Sequence, residues 1–254
     1  MSSTYTVTSQ QIATLALGKL GVLELGDTPD STSIANAQMT LNLLIKQLNT
    51  EGLKLWKNSE IIIPVTNNTT QYILGGSTSV TMYDSLAPST PITDKPLKAI
   101  QGFYRTTTTT PYIDTPLLLI SKQEYNMLGS KFSTGIPNTM FYDPRNLYGV
   151  LYVYLTPDAY TSSNVQIHLV CQMPLNDITA TTDIPDFPVE WMNCLVWSLA
   201  DELALQYGVP LNARQEIAQR AAMYKEKLVD WDVEASSTFF MPDYRSTSRN
   251  SYGH

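Results

Sequence analysis

One stretch constrains this chain more than any other: DFPVEWMNCLVWSLADELALQYGVP, from Asp186 to Pro210. Pro188 suits a first helical turn, where its missing N–H would have no partner in any case, and Gly208 with Pro210 supplies a stop. Between them Met192, Leu195, Val196, Leu199, Leu203 and Tyr207 recur at helical spacing, while Trp191, Cys194, Ala200 and Ala204 form a second apolar face. A helix that is apolar on two sides has to be covered on two sides, so the rest of the chain must supply two partners.

One expected partner is the last helical pattern, LNARQEIAQRAAMYKEKLVDWDVEA, with a cap at Asn212 and Gln215 three residues on. Its Ile217, Ala221, Tyr224, Leu228, Trp231 and Ala235 alternate in steps of four and three, the seam of a helix lying nearly antiparallel to its neighbour. The other is a pair at the opposite chain end. Thr8 or Ser9 caps a first helix carrying Ile12, Leu15, Ala16, Leu20 and Leu23. Ser31 or Ser33 caps a second, with Ile34, Ala37, Leu41, Leu44, Ile45 and Leu48 on one face and Gly52 as its stop.

From Glu60 the period changes. Eight short runs rich in Ile, Val, Thr and Tyr follow, broken by Pro, Gly, Asn and Asp: EIIIPV, QYIL, SVTMY, LKAIQGFYR, TPLLLI, MFYD, GVLYVYLTP and NVQIHLVCQ. Such runs predict strands of a compact β-domain. SKQEYNMLG interrupts them with Ser121 and Glu124 at capping-box spacing, which predicts a two-turn helix. ITATTDIPDFP then reads as a linker. The expected fold class is α+β: a helical bundle built from both chain ends, with an inserted all-β domain and an extended C-terminal arm. The expected units are N-terminal helices at 1–59, a β-rich insertion at 60–180, C-terminal helices at 181–235 and an arm at 236–254.

Charge narrows the function classes. Only 15% of the 254 residues are charged, against about 25% in an ordinary domain, and Thr, Ser and Asn fill the deficit. Large protein interfaces suit that balance, because Lys and Glu are depleted in them. The net charge is −7, and residues 181–254 hold 11 acidic against 6 basic side chains. A dedicated nucleic-acid binder needs a basic stripe to neutralise phosphates, so this chain is not expected to be one, although DNA could pass through it. MSSTYTVTSQ lacks the parts of a signal peptide and no apolar run reaches the roughly 20 residues that span a bilayer, so neither secretion nor a membrane is expected.

A search for chemistry returns little. The histidines are His168, inside a strand-like run, and His254, the last residue, so no HExxH helix or histidine-based metal cluster is expected. His168 reads as a sheet residue, since a catalytic histidine needs an orienting carboxylate and a nucleophile. Cys171 and Cys194 read as small buried residues. No GxSxG elbow occurs. LGGSTS at 74–79 lacks the lysine and following helix of a phosphate loop and reads as a hairpin turn, and TLALGK is a helix end. Asp183 with Asp186, and Asp201 with Glu202, are carboxylate pairs of the kind glycoside hydrolysis uses, but they read as solvated or interface charge. The Asn67 to Thr70 sequons carry no weight without a secretion signal, and Thr106 to Thr110 reads as a hairpin tip. No catalytic residue, cofactor or metal is expected.

After Ala235, STFFMPDYRSTSRNSYGH has no period, yet it holds Phe239, Phe240, Met241, Pro242 and Tyr244. Termini of this kind are disordered unless tied down, and paired phenylalanines favour a docking arm over plain disorder. Several stretches also resemble a known group: QIATLALGKLGV, LNLLIKQLNTEGLKLW, PLLLISKQEYNMLG, GIPNTMFYDP, GVLYVYLTPDA and the opening stretch itself. They look like the head-to-tail adaptors of short-tailed bacteriophages, the tail accessory factors or tubular tail protein A-like head completion proteins. That resemblance implies a virion protein of the neck, assembled in the host cytoplasm. It implies a homo-oligomeric ring of about twelve copies below the portal, with nozzle and fibres or spikes beneath and genomic DNA leaving through the channel without specific binding. Carried onto this chain, Phe239, Phe240, Met241, Pro242, Tyr244 and Arg245 would be the portal-docking residues. The β-rich insertion departs from the smallest members of that group, which look almost purely helical. A tail-tube or nozzle subunit is the alternative, and a virion-borne cell-wall hydrolase a further one.

Overall fold

A computed structural model describes residues 6–24, 26–50, 57–76 and 80–231. Gly52 and the arm at 236–254 lie outside the described residues, as does Ala235.

Helix α1 runs Ser9–Lys19 and starts in a full capping box: the Thr8 hydroxyl accepts from the Gln11 N–H and the Gln11 side chain accepts from the Thr8 N–H. Helix α2, Ser31–Thr50, is capped by Asp30, one residue ahead of Ser31 and three ahead of Ser33, because the Asp30 carboxylate accepts from the Ser33 hydroxyl and backbone N–H and is held below its ordinary pKa by them. A carboxylate accepts more strongly than a hydroxyl at that position. Seven longer strands follow the period-2 runs: β1 (Asn58–Pro64), β2 (Gln71–Leu74), β5 (Lys98–Thr106), β6 (Ile113–Leu119), β7 (Thr139–Pro144), β8 (Gly149–Tyr154) and β9 (Val165–Gln172). Two short ones, β3 (Met82–Asp84) and β4 (Pro91–Ile92), lie between β2 and β5. Helix α3, Lys122–Met127, carries the Ser121/Glu124 capping box, and α4, Ala159–Asn164, is capped by Asp158, whose carboxylate accepts from the Thr161 N–H. A 3-10 turn at Val189–Trp191 leads into α5 (Met192–Ala204), and α6 spans Leu211–Trp231. Pro188 precedes that turn, and the last helix starts ahead of Asn212, with the Arg214 N–H donating to the Pro210 carbonyl.

The strands form one nine-stranded sheet in the order β2-β8-β7-β6-β5-β9-β1-β3-β4. Among the described strands only β6 and β7 pair in parallel, and their crossover contains α3, as parallel neighbours require a connection longer than a hairpin. Side chains alternate in and out. Ile61, Ile63, Ile167, Leu169 and Cys171 face inward with Met140, Leu151 and Val153, forming a core of the sheet's own.

A second core joins both chain ends. Ile12 and Ala16 of α1, Leu41 and Ile45 of α2, Leu195 and Leu199 of α5, and Ile217 and Leu228 of α6 are buried together. The two faces of α5 are covered by α6 on one side and by α1 and α2 on the other, the two partners its sequence demands.

The expected fold class is nevertheless corrected. Among the described residues the chain is mostly a nine-stranded mixed sheet curled into a half-barrel, with six helices, and it is not a helical bundle carrying an inserted all-β domain. The reason is pairing across long sequence separation. β9 lies between β1 and β5, with Ile62 opposite His168 and Phe103 opposite it on the other side, so residues 58–172 close into one sheet that outweighs the helices. The stretch is also not all β, because α3 and α4 sit inside it.

ITATTDIPDFP is tied down rather than a free linker. The Ser9 N–H donates to the Asp183 carbonyl and the Ser9 hydroxyl to the Ala180 and Thr181 carbonyls. The Asn42 amide donates to the Ile178 carbonyl and accepts from the Ile178 N–H, both at 2.9 Å, and Lys57 pairs with Asp186 at 2.8 Å.

Candidate functional site

The six residues expected to dock the portal, Phe239, Phe240, Met241, Pro242, Tyr244 and Arg245, lie outside the described residues.

His168 lies in β9, on the face away from the sheet core, and is 1% exposed. Its Nδ1 is 2.7 Å from Glu60 Oε1, its ring stacks on Phe103 with centroids 4.8 Å apart, and its buried Nε2 has no hydrogen-bond partner. Next to this pair Arg105 and Asp114 make a two-pronged ion pair, 2.7 Å in each arm, which raises the guanidinium's pKa and lowers the carboxyl's. The carboxylate that orients a catalytic histidine is thus present, but among the described residues no serine, threonine or cysteine is hydrogen-bonded to the ring. Cys171 faces the opposite side of the sheet, where burial pushes its thiol up to about 12. Cys194 is buried in the helical core and near Ser198.

The carboxylate pairs separate by role. Asp183 accepts from the Thr179 N–H, the Thr179 hydroxyl and the Ala180 N–H at 2.7–3.0 Å, which holds its pKa down, and Asp186 pairs with Lys57. Asp201 and Glu202 sit on neighbouring positions of α5 and face different directions. Among the described residues, no group of three or more His, Cys, Asp and Glu side chains is arranged to hold a metal ion, and no helix is long and apolar enough to cross a membrane.

A cleft lies between α3 and the outer face of β7–β8. On that face Phe141 and Tyr152 are cross-strand partners, with ring centroids 5.6 Å apart. Tyr125 of α3 packs on both, 6.0 Å from Phe141 and 5.3 Å from Tyr152, and burial raises the pKa of its hydroxyl. These rings floor a volume of about 320 Å³ whose walls carry Lys122, Lys131 and Arg145 against one acid, Asp143. Arg145 donates to Asp143 at 3.2 Å and to the Tyr152 hydroxyl at 2.9 Å, Lys122 reaches Asp143 only at 4.0 Å, and Lys131 lies over the Tyr125 ring at 4.8 Å. Phe132 stands at the rim, 85% exposed.

Sequence reasoning did not find this cleft. Half of the six cations between residues 61 and 180 converge on it, yet they come from α3, the loop after it and the β7–β8 turn, and only the fold brings them together. The helices contribute a different surface: Leu15 of α1, and Met39 and Leu43 of α2, one turn apart, point outward.

No family model matches this chain, and no curated protein matches it.

Proposed function

We propose that the chain is a structural virion protein: a subunit of an adaptor ring that joins a bacteriophage portal to the tail nozzle and fibres and forms part of the DNA channel. It works by assembly and not by catalysis. Its partners are further copies of itself, the portal above, and nozzle and fibre or spike proteins below, with DNA passing unbound. The observation that carries this reading is the core shared by α1, α2, α5 and α6, which unites both chain ends in one helical unit, as the adaptor resemblance requires. Outward-facing Leu15, Met39 and Leu43 on that unit supply apolar area for contacts between subunits. The arm at 236–254 docks the portal, burying Phe239, Phe240 and Met241, and Pro242, Tyr244 and Arg245 complete the contact. The low charge and acidic balance suit a conduit that must release its DNA.

A nozzle or tail-tube subunit is the second reading, favoured by the curled nine-stranded sheet. The two part on one experiment. The mass of the protein mixed with the portal ring of the same virus is measured by native mass spectrometry, with the full chain and with residues 236–254 deleted. The adaptor reading expects about one copy per portal subunit for the full chain, and a folded, non-joining truncation. A self-assembled tube without portal binding establishes the second reading instead. Portal binding by the truncated chain removes the arm assignment.

A further inference from the structure

We propose that the cleft between α3 and β7–β8 is a docking site for an acidic peptide segment of a partner protein, a side-chain carboxylate seated among Lys122, Lys131 and Arg145 with a neighbouring apolar side chain against Phe132. The inference stands independently of the adaptor reading.

Charge complementarity carries it. In a chain of net charge −7, three cations face one acid here, a local excess of two positive charges. Asp143 is the one acid among the described residues lining the cleft: Arg145 donates to it and to the Tyr152 hydroxyl and also bonds Tyr148, so one carboxylate is shared among a guanidinium and the Lys122 ammonium 4.0 Å away. Lys131 has a ring beneath it and no carboxylate beside it among the described residues. An ammonium over an aromatic face, with a guanidinium across the cleft, presents donors from two sides to one carboxylate. The site is also amphipathic. Its floor is three aromatic rings, and Phe132 at the rim lies open to solvent, so an occupant that brings only charge would leave the apolar part wet. A peptide that alternates acidic and apolar residues covers both. A phosphate polymer does not fit, since the positive surface is confined to the cleft while the chain as a whole is acidic. A volume of about 320 Å³ holds two or three side chains, the scale of a short docking motif.

The test uses the full chain and a fluorescein-labelled Gly-Glu-Phe-Glu-Gly peptide, read by fluorescence anisotropy at low salt. Its glutamine counterpart, Gly-Gln-Phe-Gln-Gly, is the reference. The acidic peptide is expected to bind at least about tenfold more tightly, the ratio that a charge-assisted hydrogen bond of about 1.5 kcal/mol gives. Lys131→Gln with Arg145→Gln should abolish that preference. Lys131→Glu alone, a change on a side chain without an ion pair, should do so without touching the Arg145 contacts. Equal affinity for the two peptides, undiminished binding by the variants, or no binding of the acidic peptide at millimolar concentration overturns the proposal. Displacement of the peptide by glucuronate or inorganic phosphate at equal concentration overturns it as well, and reassigns the cleft to a sugar acid or a phosphate.

Discussion

Replacing Asn42 by alanine tests how the sheet and the helices are joined. The Asn42 amide acts as a stand-in for a strand: Nδ2 donates to the Ile178 carbonyl and Oδ1 accepts from the Ile178 N–H, each at 2.9 Å. Alanine removes both bonds. A net contribution of about 0.5–1.5 kcal/mol per bond gives about 1–3 kcal/mol, and Ile178 is buried, so its orphaned backbone groups push the loss to the upper part of that range. Against a total stability of about 5–15 kcal/mol that is a large fraction. The assay is urea unfolding followed by tryptophan fluorescence, together with hydrogen exchange at residues 176–180. Asn42→Ala should lower the midpoint and speed exchange at Ile178. Asn42→Asp should be at least as damaging at neutral pH, because a carboxylate oxygen then faces the Ile178 carbonyl, and should recover on acidification as the carboxyl gains a proton to donate. Leu43→Ser, next in sequence but 64% exposed, is the control and should stay within about 0.5 kcal/mol of the parent. A loss below about 0.5 kcal/mol for Asn42→Ala, with Ile178 exchange unchanged, would refute the idea that this amide clamps the connection.

Two further expectations follow from single positions. A Cβ on Gly149 would fall inside the Tyr142 ring, which cannot retreat because its buried hydroxyl donates to the Pro96 carbonyl at 2.5 Å; Gly149→Ala should therefore cost about 3 kcal/mol in urea unfolding, and a cost below about 1 kcal/mol counts against the packing described. Asp183 has its pKa lowered by the Ala180 and Thr179 N–H groups, so its contribution is complete above its ordinary value of 3.8 and disappears as pH falls through the lower folded value; Asp183→Asn should flatten that part of the acid limb of stability against pH, and an acid limb identical in parent and variant would remove this role.

Local structure was legible in the sequence wherever a short-range cause sets it. The Ser121 and Glu124 box, the stop at Gly208 with φ +64°, and each of the eight β-branched runs coincide with an element of the structure. What failed was pairing. Nothing in NVQIHLVCQ says that it lies between β1 and β5, or that TPLLLI and MFYD run parallel, because register depends on contacts more than a hundred residues apart in one case and on a crossover in the other. Helix α4 was missed because AYTSSN has weak helix propensity and forms under an Asp158 cap. The cleft was missed for the same reason as the topology: Lys122, Lys131 and Arg145 are isolated charges in sequence and neighbours only in space.

Composition suggests a hinge at ITATTDIPDFP, yet Ser9, Asn42 and Lys57 each grip it, from three separate elements or approaches to them. The Met173 N–H also donates to the Lys57 carbonyl at 3.0 Å, so the strand entering the connection and the strand leaving the helices are paired at its mouth. Opening a connection held at so many points costs these bonds together, so it is expected to be protected well above a free linker. For a subunit that joins a portal above to fibres below, as proposed, such a tether would give the two cores a physical link through the connector. Asn42→Ala is then more than a stability variant. If the coupling runs through Ile178, loosening it should leave each core folded while exchange rises at residues 176–183 first, before either core opens.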